Sequence, residues 1–189
     1  MKFLFDLGGV FFDWDPNYFF KDIFEKDDER KYFLTEVCND EWNIQQDAGR
    51  TIKEAESVLI PKFPQYEEEI KMYYSNHRRM IKGTFTSSIK ILDKLKEQNY
   101  ECYVLSNWSA ETFVGMTDDY PFLQLFDGLL ISGEDKLMKP DAAIYELAIS
   151  RFNLIAQETI FIDDKLENIE AAKNLNLKTI HLVDPNKIE

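Results

Sequence analysis

The chain has 189 residues, of which 44% are hydrophobic and 14% aromatic, and its formal net charge is −13 at pH 7. This length and apolar content predict a globular protein with one well-filled core and exclude a disordered chain. The excess of carboxylates argues against a nucleic-acid partner, and a site for an anionic ligand would need a local cation.

Cysteine usage and hydropathy bear on the compartment. Cys38 and Cys102 lie far apart in the sequence and have no metal-binding spacing, so we interpret them as reduced thiols. The sequence has no apolar stretch near the ~20 residues that span a bilayer, and no signal-peptide pattern. We therefore expect a cytoplasmic protein with no membrane partner; a monomer and a homodimer are both compatible with the sequence.

The first predicted strand is Lys2–Phe5, and it ends at a single carboxylate, Asp6. Burying an unpaired carboxylate costs several kcal/mol, and the carboxyl ends of strands in an open α/β sheet are where ligands bind. Gly8 and Gly9 follow and allow the backbone to approach a ligand closely. Asp6 is therefore a candidate functional residue, the alternative being a strand followed by an ordinary turn.

Residues 15–82 contain no clear strand and predict consecutive helices. Thr51 suits the N-cap of one of them. The predicted helices are Tyr18–Phe24, Asp27–Val37, Trp42–Gln46, Ile52–Ile60 and Tyr66–Ile81. An insertion of this length exceeds an ordinary loop, so we predict a small helical cap over the sheet edge, with residues 1–14 and 83–189 as the core domain.

From residue 83 onward, strand and helix patterns alternate. The predicted strands are Glu101–Leu105, Gly128–Ile131, Thr159–Ile162 and Lys178–Leu182, and the predicted helices are Ser87–Gln98, Ala110–Met116, Asp141–Phe152 and Leu166–Asn174. This alternation predicts an α/β fold, with a Rossmann-like parallel sheet and helices on both of its faces.

Further polar residues follow these later strands. Ser106 and Asn107 end one strand, Lys139 precedes a proline suited to a helix start, and Asp163-Asp164 end another strand one helical turn before Asn168. Each has a structural alternative as a helix-capping group or a solvated side chain. Together with Asp6 they supply the carboxylates, hydroxyl and cation that metal-assisted phosphoryl transfer requires.

In this order, the motifs resemble those of the haloacid dehalogenase superfamily over nearly the whole chain. The similar segments are Phe5-Asp6-Leu7-Gly8, Leu105-Ser106-Asn107, Met138-Lys139-Pro140 and Asp163-Asp164-Lys165-Leu166-Glu167-Asn168. The helical insertion matches the small cap of that superfamily. The details are most similar to the branch that contains α-D-glucose-1-phosphate phosphatase and the phosphatase domain of soluble epoxide hydrolase.

The resemblance implies a Mg²⁺-dependent phosphatase acting on a small phosphorylated substrate, with sugar phosphates favoured. Asp6 would be the nucleophile that forms an aspartyl-phosphate, with Ser106 and Lys139 as the other catalytic residues. The resemblance also implies ligands for the substrate phosphate and the metal. The backbone amides of Leu7, Gly8 and Asn107 would hold the phosphoryl oxygens, Asp6, Asp164 and the Gly8 carbonyl would bind Mg²⁺, and Asp163 and Asn168 would support the metal site.

The sequence departs from the family pattern at Gly8. Most phosphatases of the family have an aspartate there, two residues after the nucleophile, as general acid and base. Asp47 in the predicted cap is a candidate substitute, with a surface acid as the alternative. Trp42, Asn43 and Gln46 suit contacts to a polar ring such as a sugar, whereas Trp42 could instead anchor the core of the cap.

Two other functions remain open. A 2-haloacid dehalogenase, in which Asp6 attacks carbon, would not need the missing acid, but the Asp163-Asp164 pair favours the phosphatase. A weakly active protein that only binds phosphorylated ligands is the second alternative. The presence of Asp6, Lys139 and Asp164 argues against it, because none of the three would have a catalytic role in such a protein.

Overall fold

A parallel sheet forms the centre of residues 1–187, the part of the chain described by the computed structural model. The strands are β1 (Lys2–Phe5), β2 (Phe12–Trp14), β3 (Ile81–Thr84), β4 (Glu101–Ser106), β5 (Gly128–Ile131), β6 (Thr159–Asp163) and β7 (Lys178–His181). Five of them form the parallel sheet in the order β5-β4-β1-β6-β7, and β2 pairs with β3 antiparallel. The structure confirms the predicted α/β fold.

The helices surround this sheet and fill the long segment between β2 and β3. They are α1 (Asn17–Phe20), α2 (Asp27–Tyr32), α3 (Asp40–Asp47), α4 (Ile52–Leu59), α5 (Glu67–Ser75), α6 (Thr86–Glu97), α7 (Ala110–Phe113), α8 (Met116–Asp119), α9 (Ser132–Asp135), α10 (Ala142–Arg151) and α11 (Leu166–Asn174). None of the helices in the described part of the chain is long and apolar enough to cross a membrane.

Alternating side chains of the sheet build two hydrophobic cores, because successive residues of a strand point to opposite faces. On β1, Leu4 packs with Ile144 of α10 and Ile169 of α11. The next residue, Phe5, belongs to the other cluster, with Leu92 of α6. The two faces are therefore covered by different helices, and the polar residues that end the strands lie at the sheet edge.

Residues 15–80, which we call the inserted segment, have a third hydrophobic cluster of their own. It includes Phe20, Phe33 and Tyr73, all buried. Local capping fixes its helices: Thr51 and Glu54 form a reciprocal capping box at the start of α4, as the Thr51 N-cap predicted. The role of this segment as a cap stays a prediction.

Several predicted helix boundaries were wrong. The helix predicted for Tyr66–Ile81 ends at Ser75, because Ile81 enters β3 and pairs with β2. The helix from Ala110 breaks after Phe113, before Gly115, which has a φ of +79°. The helix predicted from Tyr18 extends only to Phe20. The pair β2–β3 was not predicted, and it spans the predicted domain boundaries, which stay a prediction.

Candidate functional site

Asp6 lies at the carboxyl edge of the sheet, directly after β1. Since β1 lies between β4 and β6, the residues that end those strands flank Asp6. The Ser106 hydroxyl donates a hydrogen bond of 2.7 Å to Asp6 Oδ1. Lys139 Nζ lies 2.9 Å from the same oxygen. The other oxygen, Oδ2, accepts no hydrogen bond from residues 1–187 and is available to an incoming group.

Lys139 is a buried cation placed between two carboxylates. The residue is 1% exposed, and Nζ contacts Asp6 at 2.9 Å and Asp163 at 2.6 Å. The Asn107 side chain fixes the backbone of this residue in two directions. Asn107 Nδ2 donates to the Lys139 carbonyl at 2.9 Å, and the Lys139 N–H donates to Asn107 Oδ1 at 2.8 Å. Helix α10 begins at Ala142. Pro140 therefore precedes the helix, whereas we predicted that it would open the first turn.

Asp163 is fully buried at the end of β6 and is held by several donors. Asn168 Nδ2 lies 3.0 Å from both of its oxygens, and the Lys165 N–H donates to Oδ1 at 2.8 Å. Asn168, which we expected to support the metal site, therefore contacts Asp163 with its amide. Asp163 thereby orients Lys139, because its remaining strong contact is the ion pair.

Asp164 completes a cluster of acidic oxygens. One carboxylate oxygen from each of Asp6, Asp163 and Asp164 lies within 4.8 Å of the others. Asp164 Oδ1 is buried and has no hydrogen-bond partner among residues 1–187. A buried polar atom in a native protein is normally paired, so this oxygen has the properties of a ligand atom. We call Asp6, Ser106, Lys139, Asp163 and Asp164 the carboxylate site.

The charges of the carboxylate site do not balance without a cation. Three carboxylates face one buried ammonium, an excess of two negative charges. Burial raises the pKa of Asp6, and Lys139 opposes this only in part. Burial and the neighbouring Asp6 raise the pKa of Asp164 to about 6. Burial lowers the pKa of Lys139, but Asp6 and Asp163 outweigh it, so the Lys139 pKa is raised and the residue stays charged. Oxygen ligands and this charge deficit fit Mg²⁺.

The turn after Asp6 combines a tight backbone with open space. The Leu7 side chain is buried, and its carbonyl accepts hydrogen bonds from the N–H groups of Phe11 and Phe12 at 2.8 and 3.0 Å. A Cβ built on Gly8 meets no atom of residues 1–187 within 4 Å. The chain therefore has room for a side chain at the position where the family usually has an acid.

Gly9 is a further residue of this turn that packs against the carboxylate site. Its φ is +67°, and a Cβ there would lie 2.3 Å from Asp164 Oδ2, so a side chain would displace that carboxylate. The Gly8-Gly9 pair in the sequence was the available signal. Gly9 lets the turn pack directly against Asp164.

Trp42, Asn43 and Gln46 form an internal network in the inserted segment. The Trp42 ring is buried against Tyr73 and Tyr74, and its indole N–H donates to the Ala55 carbonyl at 3.2 Å. These contacts favour the alternative of Trp42 as a core anchor.

Polar groups of the same network pair with each other. Gln46 Nε2 contacts the Trp42 carbonyl at 2.9 Å and the Tyr74 hydroxyl, and Arg50 Nε donates to Gln46 Oε1 at 2.6 Å. The Tyr74 hydroxyl contacts Asn43 Oδ1 at 2.9 Å. A role of these residues in substrate binding stays a prediction.

The fold and the site define an α/β protein that gathers carboxylates and a lysine at the carboxyl edge of a parallel sheet. The model of the haloacid dehalogenase-like hydrolase family matches residues 4–182. The chain therefore belongs to the haloacid dehalogenase-like hydrolases, as its motifs predicted.

Several named proteins are similar to the chain. A sesquiterpene phosphatase of Aspergillus oryzae is 29% identical over 181 residues, which are 96% of this chain and 89% of that protein. A phosphorylated carbohydrates phosphatase of Thermotoga maritima is 20% identical, covering 94% of this chain and 82% of that protein. Among solved structures, a haloacid dehalogenase family enzyme of Bacteroides thetaiotaomicron, in complex with magnesium and inorganic phosphate, has a TM-score of 0.74 at 23% identity. It covers 95% of this chain and 92% of that one.

Proposed function

We propose that this chain is a Mg²⁺-dependent phosphatase that hydrolyses a small phosphorylated metabolite, with sugar phosphates favoured, through an aspartyl-phosphate at Asp6. The observation that carries this proposal is the pairing of the Asp6 carboxylate with Ser106 and Lys139 while one of its oxygens remains open. The names of the phosphatases similar to the chain support the same reaction.

Asp6 has the properties of a nucleophile held in one orientation. Ser106 and Lys139 both contact Oδ1, so Oδ2 is the oxygen positioned to attack phosphorus. The bond from phosphorus to the leaving oxygen then breaks, and water later releases inorganic phosphate from Asp6. Lys139 favours the ionised form of Asp6 against the effect of burial and would offset charge on the transferred group, which a site in so acidic a chain requires.

Asp6, Asp164 and the Gly8 carbonyl are the residues that would hold Mg²⁺. The ion would supply the positive charge that the carboxylate site lacks and would neutralise charge on the phosphate oxygens. The orphaned Asp164 Oδ1 supports this assignment. Asp163, saturated by Lys139 and Asn168, would position its neighbours without binding the ion.

The central test compares phosphate release from sugar, aryl and prenyl phosphates by the wild type, Asp6→Asn and Asp93→Asn. Asp93 is exposed on α6, so it controls for the loss of one carboxylate. We expect release that requires Mg²⁺, stops with chelator and is absent only in Asp6→Asn. Equal turnover by Asp6→Asn would overturn the proposal, and chelator-resistant halide release from 2-haloacids would favour the dehalogenase.

Prenyl phosphates are the second substrate class, because one protein similar to the chain is named a sesquiterpene phosphatase. Sugar phosphates are favoured by the motif resemblance and by the carbohydrate phosphatase of Thermotoga maritima. The ratio of kcat/KM values for a sugar phosphate and farnesyl phosphate decides between them. A protein that releases phosphate from no member of the panel but is stabilised by Mg²⁺ with a phosphate analogue would be a binding protein.

Metal binding can be measured without turnover. Mg²⁺ at 100 times its Kd should stabilise the wild type by about 2.7 kcal/mol, because it binds only the folded state. Asp164→Asn removes one proposed ligand and should lose most of this stabilisation, whereas Asp93→Asn should keep it. Equal Mg²⁺-induced shifts of the unfolding midpoint in Asp164→Asn and the wild type would contradict the assigned metal site.

A further inference from the structure

The end of α3 brings an acidic side chain of the inserted segment to the carboxylate site. Asp47 is the last residue of α3 and is half-buried. Lys165, Asp6, Lys139 and the Ser109 backbone lie near enough to Asp47 to influence its carboxylate. Asp47 is not a member of the Asp6–Asp163–Asp164 cluster, so it lies beside the proposed metal ligands and not among them.

Two glycines make this close approach possible. Gly49, with a φ of +93°, lies so near α9 and the residue after it that a Cβ would meet Lys136 Cγ at 2.6 Å. Gly133 of α9 in turn lies against the turn after β4, where a Cβ would meet the Ala110 nitrogen at 2.4 Å. The chain that follows α3 therefore packs closely against the Lys136 side chain and the Gly133 carbonyl, which precede Lys139 in the chain.

A hydrogen bond between distant residues also fixes this approach. The Ile52 N–H at the start of α4 donates to Glu111 Oε1 at 2.7 Å, so a core side chain caps a helix of the inserted segment. Asp47 is therefore held in place by α3, which precedes it in the chain, and by the contacts of Gly49 and Ile52, which follow it.

Within residues 1–187, each side chain of the carboxylate site already has another proposed role, so the proton for the leaving group has to come from a neighbouring residue. Gly8 has no side chain, although the space beside it is open. Lys139 is held by two carboxylates and stays charged. Burial raises the pKa of Asp47 to about 7, with Asp6 adding to this and Lys165 and Lys139 opposing it. A carboxyl group that titrates near neutral pH can both donate and accept a proton.

We propose that Asp47 protonates the leaving oxygen and then activates the hydrolytic water, replacing the side chain that Gly8 lacks; this rests on the proposed phosphatase function. In the first step Asp6 attacks phosphorus, the bond to the leaving oxygen breaks, and the Asp47 proton moves to that oxygen. In the second step water attacks phosphorus, its proton moves to the Asp47 carboxylate, and inorganic phosphate leaves Asp6.

The test compares single-turnover phosphorylation of Asp6 by a p-nitrophenyl ester and by the alkyl phosphate that the wild type hydrolyses best. Nitrophenolate leaves without a proton, whereas an alkoxide needs one. Asp47→Asn should therefore slow the alkyl ester by about 10²–10⁴-fold and the nitrophenyl ester far less. With the nitrophenyl ester it should show a burst of one nitrophenol per enzyme before slow hydrolysis, because the second step loses its base.

Asp40→Asn is the matched control, since Asp40 is exposed on the same helix, and it should leave both rates unchanged. Equal slowing of both esters in Asp47→Asn, or no slowing, would overturn the role of Asp47. That failure is distinct from a failure of the proposed function, which would appear as phosphate release by Asp6→Asn.

A second measurement needs no variant. The groups that face Asp47 are Lys165, Lys139, Asp6 and the Ser109 N–H, with Lys136 beside Gly49. In the wild type, the ratio of alkyl to nitrophenyl phosphorylation rates should fall as pH rises and Asp47 loses its proton. A ratio independent of pH across neutrality would contradict the proposal.

Discussion

The carboxylate site and the network of the inserted segment are both built from buried polar groups, but they differ in how those groups are satisfied. Gln46 uses both ends of its amide within the segment, contacting Trp42, Tyr74 and Arg50. The carboxylate site keeps an unpartnered oxygen on Asp164 and an excess of negative charge. Polar groups that satisfy each other stabilise a fold, whereas polar groups left incomplete are suited to a ligand.

The largest effect should come from Lys139→Met, which removes the one buried cation that the carboxylate site contains within residues 1–187. Three carboxylates would then face each other without compensation, and the metal-free protein should lose about 3–5 kcal/mol of unfolding free energy. The loss of charge stabilisation on the transferred phosphoryl group should lower kcat by about 10²–10³-fold. Urea denaturation and steady-state kinetics measure the two effects.

Lys90→Met is the control for this change, because Lys90 is exposed on α6. It should alter neither the unfolding free energy nor kcat. Added Mg²⁺ should recover part of the stability of Lys139→Met, since a divalent cation offsets the same negative charge. If Lys139→Met were as stable as the wild type without metal, the site would not hold three ionised carboxylates.

Gln46→Ala should have a smaller effect, on stability alone. It leaves Arg50 Nε without its partner and removes one of the two partners of the Tyr74 hydroxyl, at a cost of about 1–3 kcal/mol in unfolding free energy. The KM should not change if the network only stabilises the inserted segment. Gln45→Ala, an exposed neighbour on α3, should be neutral. A large rise in KM with unchanged stability would instead restore the predicted substrate role of Gln46.

Most of the central sheet could be predicted from the sequence, because its strands are short apolar runs separated by helical patterns. The proximity of these side chains followed from the same pattern, since Asp6 directly follows β1, Ser106 and Asp163 end β4 and β6, and parallel strands end at one edge. The individual contacts between these side chains could be identified only in the structure. Neither the shared Asp6 oxygen nor the preference of Asn168 for Asp163 has a signal in residue spacing.

The inserted segment was less predictable for a physical reason. Ile81 ends the predicted helix Tyr66–Ile81, but pairing of β3 with β2 overrides that local preference. The substrate role of Trp42 was predicted from its residue type alone. Whether an aromatic side chain packs in a core or contacts a ligand depends on which residues surround it. Close approach of Gly49 to Lys136 and of Gly133 to Ala110 likewise depends on distant parts of the chain.

His77 is a residue of the inserted segment that, like Asp164, has a buried polar atom without a partner. Its effect on unfolding free energy should be the smallest of those predicted. Its ring lies between those of Trp14 and Trp108, and Nδ1 is buried without a partner among residues 1–187. Burial, aided by Arg78, lowers the pKa of His77 from 6.5 to about 4. The unfolded chain therefore binds a proton more readily between these values, and folding stability should fall as pH falls through this range.

His77→Phe keeps an aromatic ring in this position and removes the titration. Between pH 7 and 5.5 the wild type should lose about 1 kcal/mol more unfolding free energy than His77→Phe, measured by urea denaturation at each pH. From pH 7.5 to 8.5 the difference between the two proteins should be constant, because His77 is neutral in both states. Parallel stability curves at all pH values would contradict this, because they would mean that His77 binds a proton as readily in the folded protein as in the unfolded chain.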